Sequence, residues 1–178
     1  MGKISERRKI LERVLRCVPA RSAWHGRLLR QVEADQISVG VHLAIFVEPY
    51  LTAVLEGKKT IESRFAVTRR PPYNCVEAED YILMKRSGGP VIGLALAKAT
   101  HFYQLSPAVL ADLRHRFSRQ LFAQDESFWT QRADKQYATL IELEAALEIN
   151  PLAVDKRDRQ GWVTYDRKLL RQSEYLDI

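Results

Sequence analysis

The sequence predicts an α+β domain, a small mixed β-barrel with peripheral helices and an N-terminal helical extension. Two observations carry this prediction: five or six strand-like segments of uneven length, and helical patterns inserted between them without regular βαβ alternation. With 46% apolar and 28% charged residues over 178 positions, the chain is globular in composition and long enough for one sizeable core. We divide it into a basic helical extension over 1–38, a barrel domain over 39–166 and a tail over 167–178.

The N-terminal extension is predicted to contain two helices. From Ile4 to Val18, apolar residues recur at helical spacing with Lys and Arg on the opposite side, and Pro19 marks the end of this helix. Ser22 is the predicted N-cap of the second helix. Residues 1–40 hold nine Lys/Arg against four Asp/Glu. The extension therefore either lies on phosphates or docks its apolar stripe on the body, and the sequence favours docking.

The first half of the body predicts four strands, because branched and aromatic residues dominate its apolar segments. These strands are 41–47, 60–65, 81–85 and 91–103. Between the first two, residues 48–56 predict a short helix that ends at Gly57, where a left-handed cap favours glycine. Residues 87–90 (SGGP) are a turn signal, and Gly93 predicts a bend or bulge in the fourth strand.

The second half of the body predicts two helices followed by two strands. The first helix covers 106–123, with serine as its cap and proline in its first turn, and the second covers 125–134. Residues 137–149 show the cleanest strand alternation in the chain, with the odd-numbered positions on one face and three glutamates on the other. Residues 161–165 predict a last short strand.

Several classes of site and location are not expected from this composition. Cys17 and Cys75 form neither a disulfide framework nor a C-x-x-C metal site, so we expect a reducing, cytoplasmic environment. The longest apolar run, Val91 to Ala97, is much shorter than a membrane span, and no membrane partner is expected. The four histidines have no partner at ligand spacing. We therefore expect no metal and no cofactor.

The most informative segment is 57–64, with the sequence GKKTIESR. As a strand that follows a helix cap, it places Ile61 and Phe65 on one face, toward the core, and Glu62 and Arg64 on the other. An anion and a cation on one face can hold a polar ligand, since Arg forks onto phosphate or base edges and Glu orients Arg. The alternative is a solvated outer face, on which both charges pair with neighbouring strands.

Residues 42–103 resemble the ASCH domain (activating signal cointegrator homology), a branch of the PUA-like barrel superfamily. The resemblance depends on a helix that leads into GKKTIESR, which is similar to the family's G-x-K-x-x-E-x-R signature. Later segments are similar to elements of bacterial members, so that the resemblance extends over about 40–165. These segments are the Phe128–Trp129 pair, 137–141 (YATLI) and 155–163 (DKRDRQGWV).

The resemblance implies a barrel with a polar cleft beside the signature, for a nucleotide or a backbone phosphate. It also implies a nucleic-acid-binding module, with RNA or a modified nucleotide as the expected partner and DNA as an alternative. The candidate binding residues are Lys58, Lys59, Glu62, Arg64, Arg69, Arg70, Lys85 and Arg86. Tyr73, Tyr81 and Trp162 are candidate stacking surfaces for unpaired bases, and core packing is the favoured interpretation of the last two.

Two alternatives to simple RNA binding stay open. Some ASCH-like proteins resemble amidohydrolases of N4-acetylcytidine, which use a Lys and a Thr three residues later; here Lys59 matches the Lys, but Glu62 stands at the Thr position. Other members have been regarded as ribonucleases, so one alternative is a metal-independent hydrolase with Lys59 and Glu62 as catalytic residues. The other is a protein-interaction adaptor, which requires the stripe from Ile4 to Val18 to be exposed. The sequence leaves the oligomeric state open.

Overall fold

The computed structural model describes residues 5–155 and 160–165, which form five helices and six strands. The helices are α1 (Glu6–Leu15), α2 (Ala23–Glu33), α3 (Tyr50–Leu55), α4 (Pro107–Phe117) and α5 (Glu126–Thr130). The strands are β1 (Val41–Phe46), β2 (Ile61–Ala66), β3 (Tyr81–Arg86), β4 (Val91–Gln104), β5 (Tyr137–Leu152) and β6 (Trp162–Tyr165). None of the described helices is long and apolar enough to cross a membrane. The predicted tail over 167–178 and residues 156–159 of the DKRDRQGWV segment lie outside the described residues.

The strands form one mixed sheet in the order β2-β5-β4-β3-β1-β6. β1 and β3 run parallel, and all other neighbouring pairs are antiparallel. The long strands β4 and β5 pair with three register shifts, one of them between Val91 and Gly93, where the sequence predicts a bend. Such irregularities bend and twist a sheet, and here it curls into a half-barrel with β2 and β6 at its edges. The predicted α+β class with a mixed barrel-like sheet is confirmed.

The N-terminal helices pack their apolar faces on one side of the sheet. Leu43 of β1 and Leu83 of β3 lie in the same buried cluster as the helical residues. The helical members are Ile10, Leu11, Val14, Trp24 and Leu28. Arg8 of α1 donates to the carbonyl oxygens of Val32 and Ala34 at the end of α2, so this cation caps a helix. The described part of the apolar stripe is docked.

Helix α3 packs against the opposite, concave side of the sheet. Leu51 and Val54 of the helix share a buried cluster with Phe46 of β1, Ile141 of β5 and Trp162 of β6. The interior of the half-barrel is therefore filled with side chains, as in other small barrels. The short helix that the sequence predicts between the first two strands thus fills part of this core and also leads into β2.

Helices α4 and α5 pack on the outer face of β2 and of the first part of β5. Ser106 accepts a hydrogen bond at the N-terminus of α4, as predicted. Both helices are shorter than predicted, since α4 ends at Phe117 and α5 at Thr130. The chain turns between them, and Phe122 adopts a left-handed φ of 56°, which is incompatible with a continuous helix. Their cluster contains Ile61, Leu113, Leu121, Trp129 and Leu140.

The prediction that the odd-numbered residues of 137–149 share one face is wrong across Ala145. Ile141 and Leu143 pack in the concave cluster with α3, whereas Leu147 and Ile149 pack in the cluster of α1 and α2. The reason is Ala145, whose φ of 51° interrupts the regular strand geometry, so that the following residues change sides. Before this point the alternation holds, and both faces of the strand are buried.

Candidate functional site at the edge of the half-barrel

The site begins at the junction between α3 and β2. Gly57 has a φ of 72°, the left-handed conformation that the sequence predicts for a helix cap. The amides of Lys58 and Lys59 both donate to the carbonyl oxygen of Ala53, at 2.8 and 2.9 Å. This capped end turns the chain sharply, so that Lys59 enters the protein interior just before β2 begins at Ile61.

The two faces of β2 have the partition that the sequence predicts. Ile61 is buried with the outer helices, and Phe65 packs against the same cluster. Glu62 and Arg64 point to the concave side. Glu62 is only 5% exposed, so the alternative of a solvated charged face does not apply. A buried carboxylate requires charged or hydrogen-bonding partners, and two cations supply them.

Lys59 is the first of these cations and is 3% exposed. Its Nζ donates to the carbonyl oxygens of Ile61 (2.6 Å) and Leu121 (3.0 Å) and lies 3.4 Å from Oε2 of Glu62. Nζ also lies 5.5 Å from the ring centre of Tyr50. Burial lowers the pKa of Lys59, and the attraction of Glu62 opposes this shift. These contacts provide an acceptor for each of the three ammonium protons.

Arg64 is the second cation, and it connects the two edges of the half-barrel. Its Nε lies 2.8 Å from Oε1 of Glu62, and its two terminal nitrogens donate to the carbonyl oxygens of Gly161 (3.1 Å) and Ile45 (2.7 Å). The guanidinium carbon lies about 5.5 Å from the ring centres of Phe46 and Trp162. β2 and β6 are not paired by a backbone ladder, so Arg64 bridges a gap that we call the seam.

A buried network lies behind Trp162, and the sequence analysis missed it. The indole N–H of Trp162 donates to Nδ1 of His42 (3.2 Å), and Nε2 of His42 lies 3.0 Å from Oδ2 of Asp80. Asp80 also accepts from the amides of Gly40 and Glu77. Burial alone raises the pKa of Asp80, but the hydrogen bonds from His42, Glu77 and Gly40 outweigh it, and the pKa is lowered. The network joins β1 and β6 to the residue just before β3 and fixes the indole that faces Arg64.

Two hollows lie along the seam and share Arg64 and Phe65 in their walls. The first, which we call the Arg132 hollow, has a volume of about 350 Å³. Its walls include Tyr50, Lys59, Glu62, Arg64, Phe65, Arg132 and Lys135. The second, the Tyr73 hollow, has a volume of about 370 Å³. Its walls include Arg64, Phe65, Ala66, Arg70, Tyr73, Tyr137 and Thr139.

The Arg132 hollow contains two cations that the sequence analysis did not select. The Arg132 guanidinium lies 3.5 Å from the ring centre of Phe128 and donates to the carbonyl oxygen of the same residue. Lys135 is paired with Asp134 at 2.8 Å. Both residues follow α5, which the sequence brings to β2 through the insertion between β4 and β5. No local motif indicated this, since the contact joins segments about seventy positions apart.

The other predicted residues are dispersed around the molecule. Lys58 is exposed, pairs with Glu56 and lines neither hollow. Lys85 donates to the carbonyl oxygen of Gly89, and Arg86 pairs with Glu48, so both lie at the last two positions of β3, beside the following turn. Their part in binding stays a prediction.

The loop after β2 contributes the remaining candidates. Arg69 lies over the rings of Tyr73 and Tyr137, at 5.9 and 5.3 Å from their centres, and Arg70 lines the Tyr73 hollow. Tyr73 is half-buried and borders the same hollow. Tyr81 and Trp162 are buried in the core, which agrees with the favoured interpretation of these two aromatics.

Comparison with known proteins identifies the fold. No family model matches the sequence, and no curated protein sequence matches it. The crystal structure of ASCH from Zymomonas mobilis superimposes with a TM-score of 0.57 at 21% identity, over 72% of this chain and 88% of that one. A Tyr-to-Phe and a Ser-to-Ala mutant of that protein match with the same score and identity, over 91% and 89% of their lengths. The chain has the ASCH fold, as its GKKTIESR motif predicts.

Proposed function

We propose that this chain binds single-stranded RNA, with one nucleotide in the Arg132 hollow. The observation that carries the proposal is the charge of this hollow. Lys59, Arg64, Arg132 and Lys135 line it together with one carboxylate, that of Glu62. Glu62 is shared by Lys59 and Arg64, and Lys135 pairs with the exposed Asp134, so four cations meet two carboxylates and the wall is positive where a ligand would enter. A cationic wall of this kind favours a phosphate.

Flat side chains beside these charges support a nucleotide rather than a simple anion. Tyr50 and Phe65 line the hollow and are half-buried, and Phe128 carries the Arg132 guanidinium on its ring. Single-stranded RNA presents unstacked bases that pack on aromatic rings and on guanidinium planes. The volume lies within the range of small-ligand pockets. The ASCH resemblance implies the same class of ligand.

The test measures affinity for a fluorescently labelled single-stranded RNA of ten nucleotides by anisotropy at several salt concentrations. The double variant Arg132→Gln/Lys135→Ala removes the two entrance cations. We expect weaker binding and a reduction of the salt slope by about 1.4 units, since each lost phosphate contact with a single strand contributes about 0.7. The same sequence as DNA reports whether the 2′-hydroxyl contributes.

A matched control removes two cations elsewhere. Lys98→Ala/Arg116→Gln changes the net charge equally, and both side chains form surface ion pairs outside the two hollows. This variant should keep the wild-type salt slope to within about half a unit, apart from a small general charge effect. If both double variants weaken RNA binding equally, the interaction is a diffuse charge effect and the hollow is not the binding site.

Hydrolysis is a second candidate function, and one observation favours it. Burial lowers the pKa of Lys59, and a lysine with a lowered pKa can act as a base. Against this, its three protons already have acceptors in Ile61, Leu121 and Glu62. We therefore assign Lys59 a positioning role in the binding site. Incubation with RNA and with N4-acetylcytidine, followed by product analysis, distinguishes the two functions.

The adaptor alternative has no support in the described residues. It requires an exposed apolar stripe on the first helix, and Ile10, Leu11 and Val14 of that stripe are buried against the sheet. Ile4 lies outside the described residues. Among the described residues, Val47 and Val67 are the exposed large hydrophobic side chains, and they do not form an apolar stripe on a helix.

A further inference from the structure

We infer that the Tyr73 hollow is a second nucleotide subsite, so that the ligand is a single strand of at least two consecutive nucleotides. This inference rests on the proposed function, because it extends the ligand from the Arg132 hollow across Arg64. A second subsite distinguishes a protein that binds single-stranded nucleic acid from one that binds a free nucleoside, because a nucleoside needs only one hollow.

The first argument is the arrangement of the two hollows. They share Arg64 and Phe65, two consecutive residues of β2, and continue along the same edge of the half-barrel. Their volumes of about 370 and 350 Å³ are nearly equal. Each is large enough for a small ligand, and neither is large enough to bury an extended strand. Two adjacent hollows of equal size fit a repeating ligand.

The second argument is the chemistry of the Tyr73 hollow. Its described lining contains two arginines, Arg64 and Arg70, and no Asp or Glu. The rings of Tyr73 and Tyr137 stand 5.3 Å apart at an angle of 72° and supply aromatic surface, with Arg69 over both. Cationic groups beside aromatic faces are the combination that single-stranded nucleic acid uses for its phosphates and bases.

The third argument is the position of Arg64 between the two hollows. Its two terminal nitrogens carry four N–H donors, of which the carbonyl oxygens of Ile45 and Gly161 engage two, while Nε forms the ion pair with Glu62. Two remain on the terminal nitrogens, and 22% of the side chain is exposed. A phosphodiester that joins two nucleosides, one in each hollow, would lie against this group. Arginine is suited to such a contact, because its planar fork matches phosphate geometry.

The experiment compares nucleoside 5′-monophosphates with 5′-phosphorylated dinucleotides by isothermal titration calorimetry on the full chain. Linking two ligands that occupy adjacent sites raises affinity without new contacts, so we expect the dinucleotide to bind at least about tenfold more tightly. Two variants act on the Tyr73 hollow alone. Arg70→Ala removes an exposed cation, and Ala66→Trp fills the hollow from a half-buried position at the end of β2.

Both variants should lower the dinucleotide affinity toward that of the monophosphate, and both should keep the monophosphate affinity within about twofold of wild type. The retained monophosphate binding also reports that each variant is folded. Equal affinities of wild-type protein for the two ligands would overturn the inference and leave the proposed function standing. Full dinucleotide affinity in both variants would overturn it as well. If neither these ligands nor a longer RNA binds, the proposed function itself is wrong.

Discussion

Arg64→Lys tests whether this arginine closes the seam or serves chiefly as a ligand contact. The variant keeps the positive charge and can keep the ion pair with Glu62. It cannot keep the fork, because one ammonium group cannot reach the carbonyl oxygens of both Ile45 and Gly161 while lying flat against Trp162. The two edges of the half-barrel therefore lose part of their connection.

The expected loss of stability follows from these contacts. One hydrogen bond from a charged donor is lost, which contributes about 1.5–3 kcal/mol. The planar contacts with Phe46 and Trp162 weaken, which adds about 0.5–1 kcal/mol. The free energy of unfolding should thus fall by about 2–4 kcal/mol. For a chain of this length this corresponds to a decrease in Tm of about 4–16 °C.

Urea unfolding followed by tryptophan fluorescence measures the loss, and hydrogen exchange locates it. The amides of β6 should exchange faster in Arg64→Lys than in wild type, since this edge strand depends on the bridge. Arg69→Lys is the matched control, because Arg69 also lies over aromatic rings but is exposed. It should change stability by less than about 0.5 kcal/mol. An unchanged Tm and unchanged β6 exchange in Arg64→Lys, with weaker RNA binding, would refute the bridge.

Three further substitutions test other parts of the structure. Asp80→Asn should cost about 1–3 kcal/mol at pH 7. The pKa of Asp80 is lowered on folding, so the stability that its carboxylate contributes should be lost as the pH falls below the ordinary value of 3.8. Chemical unfolding should therefore show a smaller difference in the free energy of unfolding between wild type and Asp80→Asn at pH 3 than at pH 7. Leu11→Ala should lower the free energy of unfolding by about 2–5 kcal/mol, because it leaves a cavity beneath α1. Arg16→Ala changes an exposed residue and should leave stability and RNA affinity unchanged. Equal unfolding midpoints for Leu11→Ala and wild type would contradict the docking of α1 on the sheet. Lys59→Met should weaken RNA binding. Chromatography of RNA incubated with wild type and with the variant should show the same RNA species in both samples. A cleavage product that appears with wild type and not with Lys59→Met would instead establish hydrolysis.

Local sequence patterns were sufficient to predict the elements and the inward-facing part of the site. Strand composition, the cap at Gly57 and the proline after Ser106 act within a few residues, so these signals can be recognised from the sequence without knowledge of the fold. The two faces of β2 followed from period-two geometry, which assigned Glu62 and Arg64 to one side. What the pattern left open was whether that side meets water or the concave interior.

Contacts between distant segments explain what the sequence did not predict. Arg132 and Lys135 reach the site because α5 packs on β2, and His42 meets Asp80 because β1 and β3 are parallel neighbours. A lone histidine and a lone aspartate in a sequence carry no sign of that pairing. The alternation along β5 failed for a local reason, since Ala145 adopts a positive φ that an alanine rarely shows and that no residue type at this position announces.

The balance of charge in the buried cluster links the fold to the proposed ligand. Lys59 and Arg64 share one carboxylate, that of Glu62, so the cluster retains one positive charge in a site that is largely shielded from water. Carbonyl oxygens from four different segments surround the two cations and partly offset this charge through their dipoles. Dipoles do not neutralise it, however, and a buried uncompensated charge is costly to the folded state. A phosphate at Arg64 would supply the missing anion.

We therefore expect RNA to stabilise the wild-type chain against unfolding and to stabilise a chain with Glu62→Gln more strongly, because removing the carboxylate leaves two cations for the phosphate to compensate. The increase in Tm on addition of RNA measures this stabilisation for each protein. A smaller increase in Glu62→Gln than in wild type would show that the Glu62 carboxylate mainly positions Arg64 for the phosphate and does not compete with the phosphate for it.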